Sequence, residues 1–172
     1  MKKSIIRLTA LICLLALVFS FTACGGEQEE KKNPYEYSEI GLHYTLNENF
    51  RRLTVNYAQY CYYDQSGRAY FMFHTYTPTD LEELGYAADI SVKNFTLKRL
   101  LNDDLPLNVY EYDEATDRSV IRCVDEPTQM ADWKLILRGT ELLYEVIMSC
   151  PVEYRETYEP MFEALCKDIY AE

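Results

Sequence analysis

The chain has 172 residues, a formal net charge of −11 at pH 7 and 16 tyrosines beside seven phenylalanines. So acidic a surface disfavours nucleic acid and anionic headgroups, both of which are held through Lys and Arg. The length suits one compact domain with a sizeable core.

Met1-Lys2-Lys3 and Arg7 give a positive start, and Leu8 to Phe21 follow without a charge. That run matches a secretory signal core and falls short of the roughly 20 residues that span a bilayer. It stops at Phe21-Thr22-Ala23-Cys24. These four residues resemble the bacterial lipobox, Leu-(Ala/Ser/Thr)-(Gly/Ala)-Cys, with Phe21 in place of the usual aliphatic residue. The resemblance implies cleavage before Cys24 and transfer of a diacylglycerol group to its thiol, and two acyl chains anchor stably where one is marginal. Residues 1–23 then read as a lipoprotein signal peptide. The alternatives are a soluble-secretion signal followed by an ordinary cysteine, or a permanent membrane helix.

Residues 24–34 read as a flexible tether, opening on Gly25-Gly26 and continuing through charged residues to Asn33-Pro34. A stretch without apolar side chains has nothing to pack with. Removing residues 1–23 takes away Lys2, Lys3 and Arg7 and no acid, which moves the net charge from −11 to −14. The expected location is the extracytoplasmic face of a bacterial membrane, with the membrane as partner through Cys24.

In the domain, residues 35–172, Ile40, Leu42, Tyr44 and Leu46 alternate with polar residues and predict an opening strand. Tyr57–Tyr63 and Arg68–Tyr76 flank Asp64-Gln65-Ser66-Gly67 as a hairpin whose two faces are both apolar, so layers are expected on both sides. Thr79-Asp80-Leu81-Glu82 reads as a capping box. Leu81, Leu84, Ala88, Val92 and Phe95 then predict a helix from about Asp80 to Phe95, weakened at Gly85. After a loop at 102–106, four strands are expected: Leu107–Tyr112, Arg118–Val124, Ala131–Arg138 and Glu141–Ser149. Tyr158-Glu159-Pro160 reads as the start of a last helix, with Met161, Phe162, Leu165, Cys166 and Ile169 buried. Strands in runs, rather than alternating with helices, indicate an α+β fold with a mostly antiparallel sheet.

Four cysteines fall within the domain: Cys61, Cys123, Cys150 and Cys166. None has metal-ligand spacing, and each sits in an apolar segment. Export permits disulfides, so either these are core thiols or one pair is bridged, with Cys150–Cys166 the plausible pair. Two histidines, His43 and His74, stand outside any nucleophile–base pattern. No Gly-rich phosphate loop or spaced Ca²⁺ loop is present, so no cofactor and no metal are expected. A paired-carboxylate hydrolase is left open by the many acids, though no pair stands out.

Three stretches carry a family resemblance. Glu141–Tyr154, with its Ser149-Cys150-Pro151 step, is similar to the last strand of the PsbP/Mog1-like superfamily. Tyr158-Glu159-Pro160-Met161-Phe162 resembles that family's closing helix, and Gly41–Phe50 its opening strand, with Asn47 where proline is usual. The resemblance spans most of residues 35–170 and implies an α/β/α sandwich serving as an assembly factor or partner-binding domain. It transfers no catalytic or ligand-binding residue. The function expected is therefore a lipid-anchored binding or scaffolding module with an envelope protein partner, not an enzyme. The alternative is a small envelope hydrolase using acidic residues. The dense aromatics of the Tyr57–Tyr76 hairpin read as core and sheet packing, with an aromatic ligand groove beside them as the alternative, and no ligand-binding residue is assigned.

Overall fold

Alternating burial dominates the chain, and strands dominate what it builds. The computed structural model describes residues 35–56, 58, 60–102 and 109–172. The strands are β1 (Glu36–Glu39), β2 (Leu42–Thr45), β3 (Phe50–Leu53), β4 (Tyr60–Asp64) and β5 (Tyr70–Tyr76). Helices α1 (Pro78–Glu83) and α2 (Val92–Asn102) come next. Then come β6 (Val109–Asp113), β7 (Arg118–Asp125), β8 (Met130–Arg138), β9 (Leu143–Pro151), helix α3 (Arg155–Asp168) and β10 (Tyr170–Ala171).

Seven strands form one sheet in the order β3-β4-β5-β9-β8-β7-β6, antiparallel at every step. The chain leaves the sheet after β5, crosses through α1 and α2, and re-enters at the far edge as β6. It then meanders back until β9 pairs with β5, from Tyr70↔Ser149 to Tyr76↔Leu143. The pleat sends alternate side chains to opposite faces. Trp133, Leu135 and Leu137 of β8 and Tyr144, Val146 and Met148 of β9 join Phe71 and Phe73 on one face. There they meet Leu42 and Tyr44 of β2 and Phe162, Leu165 and Ile169 of α3 or just beyond it. Ile121, Ile136 and Leu143 face the other way, against Leu81, Val92 and Phe95. Two cores on the two faces of one antiparallel sheet make the expected α+β sandwich.

Many of the aromatic residues pack in the first core. Tyr44 sits 4.8 Å from Phe71 and 5.3 Å from Tyr37, centroid to centroid. Its hydroxyl donates to Tyr62 Oη at 3.0 Å, and Tyr62 donates to Glu39 Oε1 at 3.0 Å. Buried tyrosine needs such a partner for its hydroxyl. Burial first, then hydrogen bonding to Glu39, leaves the Tyr62 phenol pushed up to about 12.

Several local expectations change. The opening strand is two strands, turned at Ile40-Gly41 with φ of 51° and 73°, and β1, β2 and β10 form a separate three-stranded sheet. The capping box sits two residues earlier. Thr77 is the N-cap and Asp80 the reciprocal partner, and Pro78 stands where a missing N–H costs nothing. The single helix over 80–95 is broken. Gly85 has φ of 79°, with Gly85 N–H bonding to Glu82 O at 2.9 Å and Tyr86 N–H to Leu81 O at 2.8 Å. That pair of bonds is a Schellman terminator, so Gly85 ends α1 rather than weakening it. Leu84 is exposed as a result. The last helix begins at Arg155, which places Pro160 in its interior. Leu107 and the rest of 103–108, like residues 57 and 59 of the expected hairpin, lie outside the described residues.

The disulfide expectation is also corrected: Cys61, Cys123, Cys150 and Cys166 are all buried free thiols. Cys150 on β9 and Cys166 on α3 both belong to the first core.

Candidate functional site

The cleft that gathers the most varied chemistry lies between the β6–β7 hairpin and the C-terminal half of α3. Arg118, Val120 and Arg122 project from one face of β7 because every second residue does. β6 pairs beside them, Glu111↔Val120 and Asp113↔Arg118. Glu163, Cys166 and Lys167 close the far side, spaced three and four residues apart so that they share one helix face. The cleft has a volume of about 270 Å³, with Val120 and Cys166 in its lining. A larger, shallower depression of about 470 Å³ runs along α2 beside Leu97 and Leu101. The cleft is the better candidate because it combines opposite charges with apolar walls.

Arg122 is its centre. Nε donates to Glu163 Oε1 at 2.6 Å and Nη2 to Glu163 Oε2 at 2.9 Å, a bidentate fork. Nη1 lies 3.0 Å from Glu111 Oε1. Trp133 Nε1 adds a 3.0 Å bond to the same Glu163 Oε1. The Arg122 hydrogen bonds hold the Glu163 carboxyl below the usual glutamate range despite its partial burial. Glu163 in turn raises the Arg122 guanidinium. Arg118 Nη1 donates to Lys167 O at 3.1 Å and so satisfies a carbonyl at the helix end. Burial, reinforced by the Glu163 charge, pushes the Cys166 thiol up to about 12, which keeps it protonated and unreactive at neutral pH.

Four carboxylates are held below their ordinary range. Asp80, Asp113 and Glu163 are shifted down by hydrogen-bond donors, chiefly Thr77, Thr116 and Arg122. At Asp64 burial pushes upward, and bonds from Ser66 and Tyr158 outweigh it to leave the group lowered. Among the described residues no group of three or more His, Cys, Asp or Glu is placed to hold a metal ion. His43 stacks on Tyr170 at 4.5 Å and lies 3.0 Å from Glu172 Oε1, in the small sheet.

The residues singled out in sequence fall elsewhere. Cys24 lies outside the described residues. Cys150 belongs to the first core, while Cys166 proves to line the cleft. The aromatic hairpin supplies no wall of either concavity described above, since Tyr62, Phe71 and Phe73 are turned inward. Arg122 and Glu163 are 41 residues apart, and nothing local marks them as partners. The available signal was the Arg118-x-Val120-x-Arg122 alternation, which puts two cations on a face that β8 and β9 fill with apolar groups.

No protein-family model matches the chain, and no curated protein matches it. Among solved structures, the solution structure of cyanobacterial PsbP (CyanoP) from Synechocystis aligns with a TM-score of 0.55 at 13% identity. The alignment covers 80% of this chain and 91% of that one. The fold is PsbP-like. The C-terminal stretches behind the sequence resemblance therefore have a physical role in this PsbP-like domain. Tyr158 and Phe162 stack 5.9 Å apart on α3, and Phe162 lies 5.2 Å from Trp133 of the central sheet.

Proposed function

We propose that this PsbP-like protein is a binding or scaffolding module, lipid-anchored through Cys24 on the extracytoplasmic face of a bacterial membrane, and that it is not an enzyme. One observation supports the binding role above all: the charged groups of the cleft neutralise one another around Arg122. A fork to Glu163 and a second bond to Glu111 occupy the guanidinium, and the neighbouring thiol is held protonated. Such a site offers shape, charge pattern and apolar lining to a partner but holds no activated nucleophile or general acid. The lipobox-like stretch and the polar tether support the location. Among the described residues no helix is long and apolar enough to cross a membrane, so anchoring falls to the N-terminal segment in this proposal.

Crosslinking in intact cells followed by mass spectrometry tests the proposal. The expected result is a reproducible envelope-protein neighbour, with crosslinks mapping to the β6–β7–α3 side of the domain. Recovery of the protein without any reproducible neighbour would contradict it.

A further inference from the structure

The seven-stranded sheet ends in two edges of different character. At β3 the side chains are already engaged: Arg52 Nη1 lies 3.1 Å from Glu39 Oε1 with its guanidinium over the Tyr60 ring, and Arg51 Nη1 donates to Glu48 O and Phe50 O. At β6 the register with β7 runs unbroken from Val109↔Arg122 to Asp113↔Arg118, so no bulge blunts the strand. β6 contains no proline, and among the described residues no strand pairs with its outer side. An edge of this kind presents a row of backbone donors and acceptors to any extended chain.

The chemistry around β6 selects the chain that fits. Val109, Glu111 and Asp113 share the α3-side face of the strand, and all three are exposed. From Val109 to Asp117 the sequence holds Glu111, Asp113, Glu114 and Asp117 and no base. Asp113 accepts from Ala115 N at 3.0 Å and from Thr116 Oγ1 at 2.7 Å, bonds that favour its ionised form. Glu111 shares its only described cation, Arg122, with Glu163. We propose that β6 accepts an extended basic segment of a partner protein as an eighth strand, with Lys or Arg opposite Glu111 and Asp113 and an apolar residue opposite Val109. The inference rests on the binding-module reading and names the class of partner.

A second copy of the chain fits this edge badly. A two-fold β6–β6 pairing centred on Glu111 sets Glu111 against Glu111 and Val109 against Asp113, and like charges directly opposite one another destabilise a sheet. A basic strand turns the same positions into favourable cross-strand pairs. Its longer side chains would also lie beside the cleft lined by Val120 and Cys166.

The test uses the full chain purified in detergent and a blocked, fluorescent peptide, Thr-Lys-Thr-Lys-Thr-Val-Thr, with a matched peptide carrying Glu for Lys. Anisotropy is expected to show saturable binding of the Lys peptide, weakened by salt, and weaker binding of the Glu peptide. Hydrogen exchange is expected to slow at β6 amides and not at β3. Glu111→Lys with Asp113→Lys is expected to weaken the Lys peptide by about tenfold or more and to strengthen the Glu peptide, as reversing two cross-strand charge pairs implies. Should that variant fail to fold, Val109→Lys, at an exposed position, is expected to weaken the Lys peptide alone. Equal binding of the two peptides, protection at β3, or concentration-dependent protection of β6 without peptide would each overturn the proposal. If crosslinking finds a neighbour while the Lys peptide does not bind, the edge assignment fails and the binding-module reading stands. If neither is found, both fail.

Discussion

Replacing Trp133 with alanine is expected to lower the stability of the domain by about 3–5 kcal/mol, the usual cost of emptying a large aromatic site in a core. Trp133 is 1% exposed, in the strand next to the centre of the sheet. Its ring packs 5.2 Å from Phe162 and carries the Arg155 guanidinium 5.7 Å from its centroid. Its N–H is also one of the donors that hold Glu163. The substitution therefore opens a cavity between sheet and α3 and removes a bond from the cleft. For a domain of this size the loss corresponds to a fall in Tm of roughly 6–20 °C. Trp133→Phe keeps an aromatic ring in the core while it removes the N–H and trims the ring system, at an expected cost of about 1–3 kcal/mol, smaller than that of Trp133→Ala. Urea unfolding of the two variants is the measurement. A loss below about 1 kcal/mol for Trp133→Ala would place the core elsewhere.

Gly139→Ala is expected to cost about 1–3 kcal/mol, the range for forcing an extra methyl into packed space. The glycine is needed for close approach. A Cβ there would collide with the Glu172 carbonyl oxygen and sit 3.1 Å from Tyr144 Cε2 and 3.3 Å from Ala171 Cβ. The segment it would displace is well held: Thr140 N–H donates to Glu172 O at 2.7 Å, Glu172 N–H donates to Gly41 O at 2.9 Å, and β10 pairs with β2 at Tyr170↔His43. A methyl at 139 should detach this C-terminal strap from the β1–β2 hairpin. Truncation after Ile169 provides the control. In that background Gly139→Ala should cost much less, since the Glu172 oxygen and the Ala171 Cβ are gone and only the contact with Tyr144 Cε2 is left, and the two changes should be strongly non-additive. Additive losses would show that the strap is not what Gly139 accommodates.

The residues explain which parts of the fold could be read in advance. The long meander of β7, β8 and β9 is legible because β7 and the first part of β8 alternate, β9 is a continuous apolar run buried on both faces, and the turns carry their own signals. The break at Gly85 is hidden by a coincidence of spacing. Leu81, Val92 and Phe95 are all buried as one amphipathic helix would have them, although they belong to two helices. β10 has only two residues, and its existence depends on β2 and on the space at Gly139. The cleft is less legible still. Arg122 and Glu163 look like ordinary solvent-facing charges in their own segments, and only the packing of α3 across β7 brings them together. The thiols show the opposite limit: apolar surroundings forecast burial of Cys150 and Cys166, but not whether they pair.

In the proposed function, Cys24 is the residue that would tie the domain to a place in the cell. Cell fractionation of the Cys24→Ala variant beside the wild-type protein, with immunoblotting for size, is the most direct measurement. The wild type should be found in the membrane fraction at mature size, and the variant should leave the membrane or persist as the uncleaved precursor. A variant of mature size that stays with the membrane would contradict lipid anchoring at Cys24.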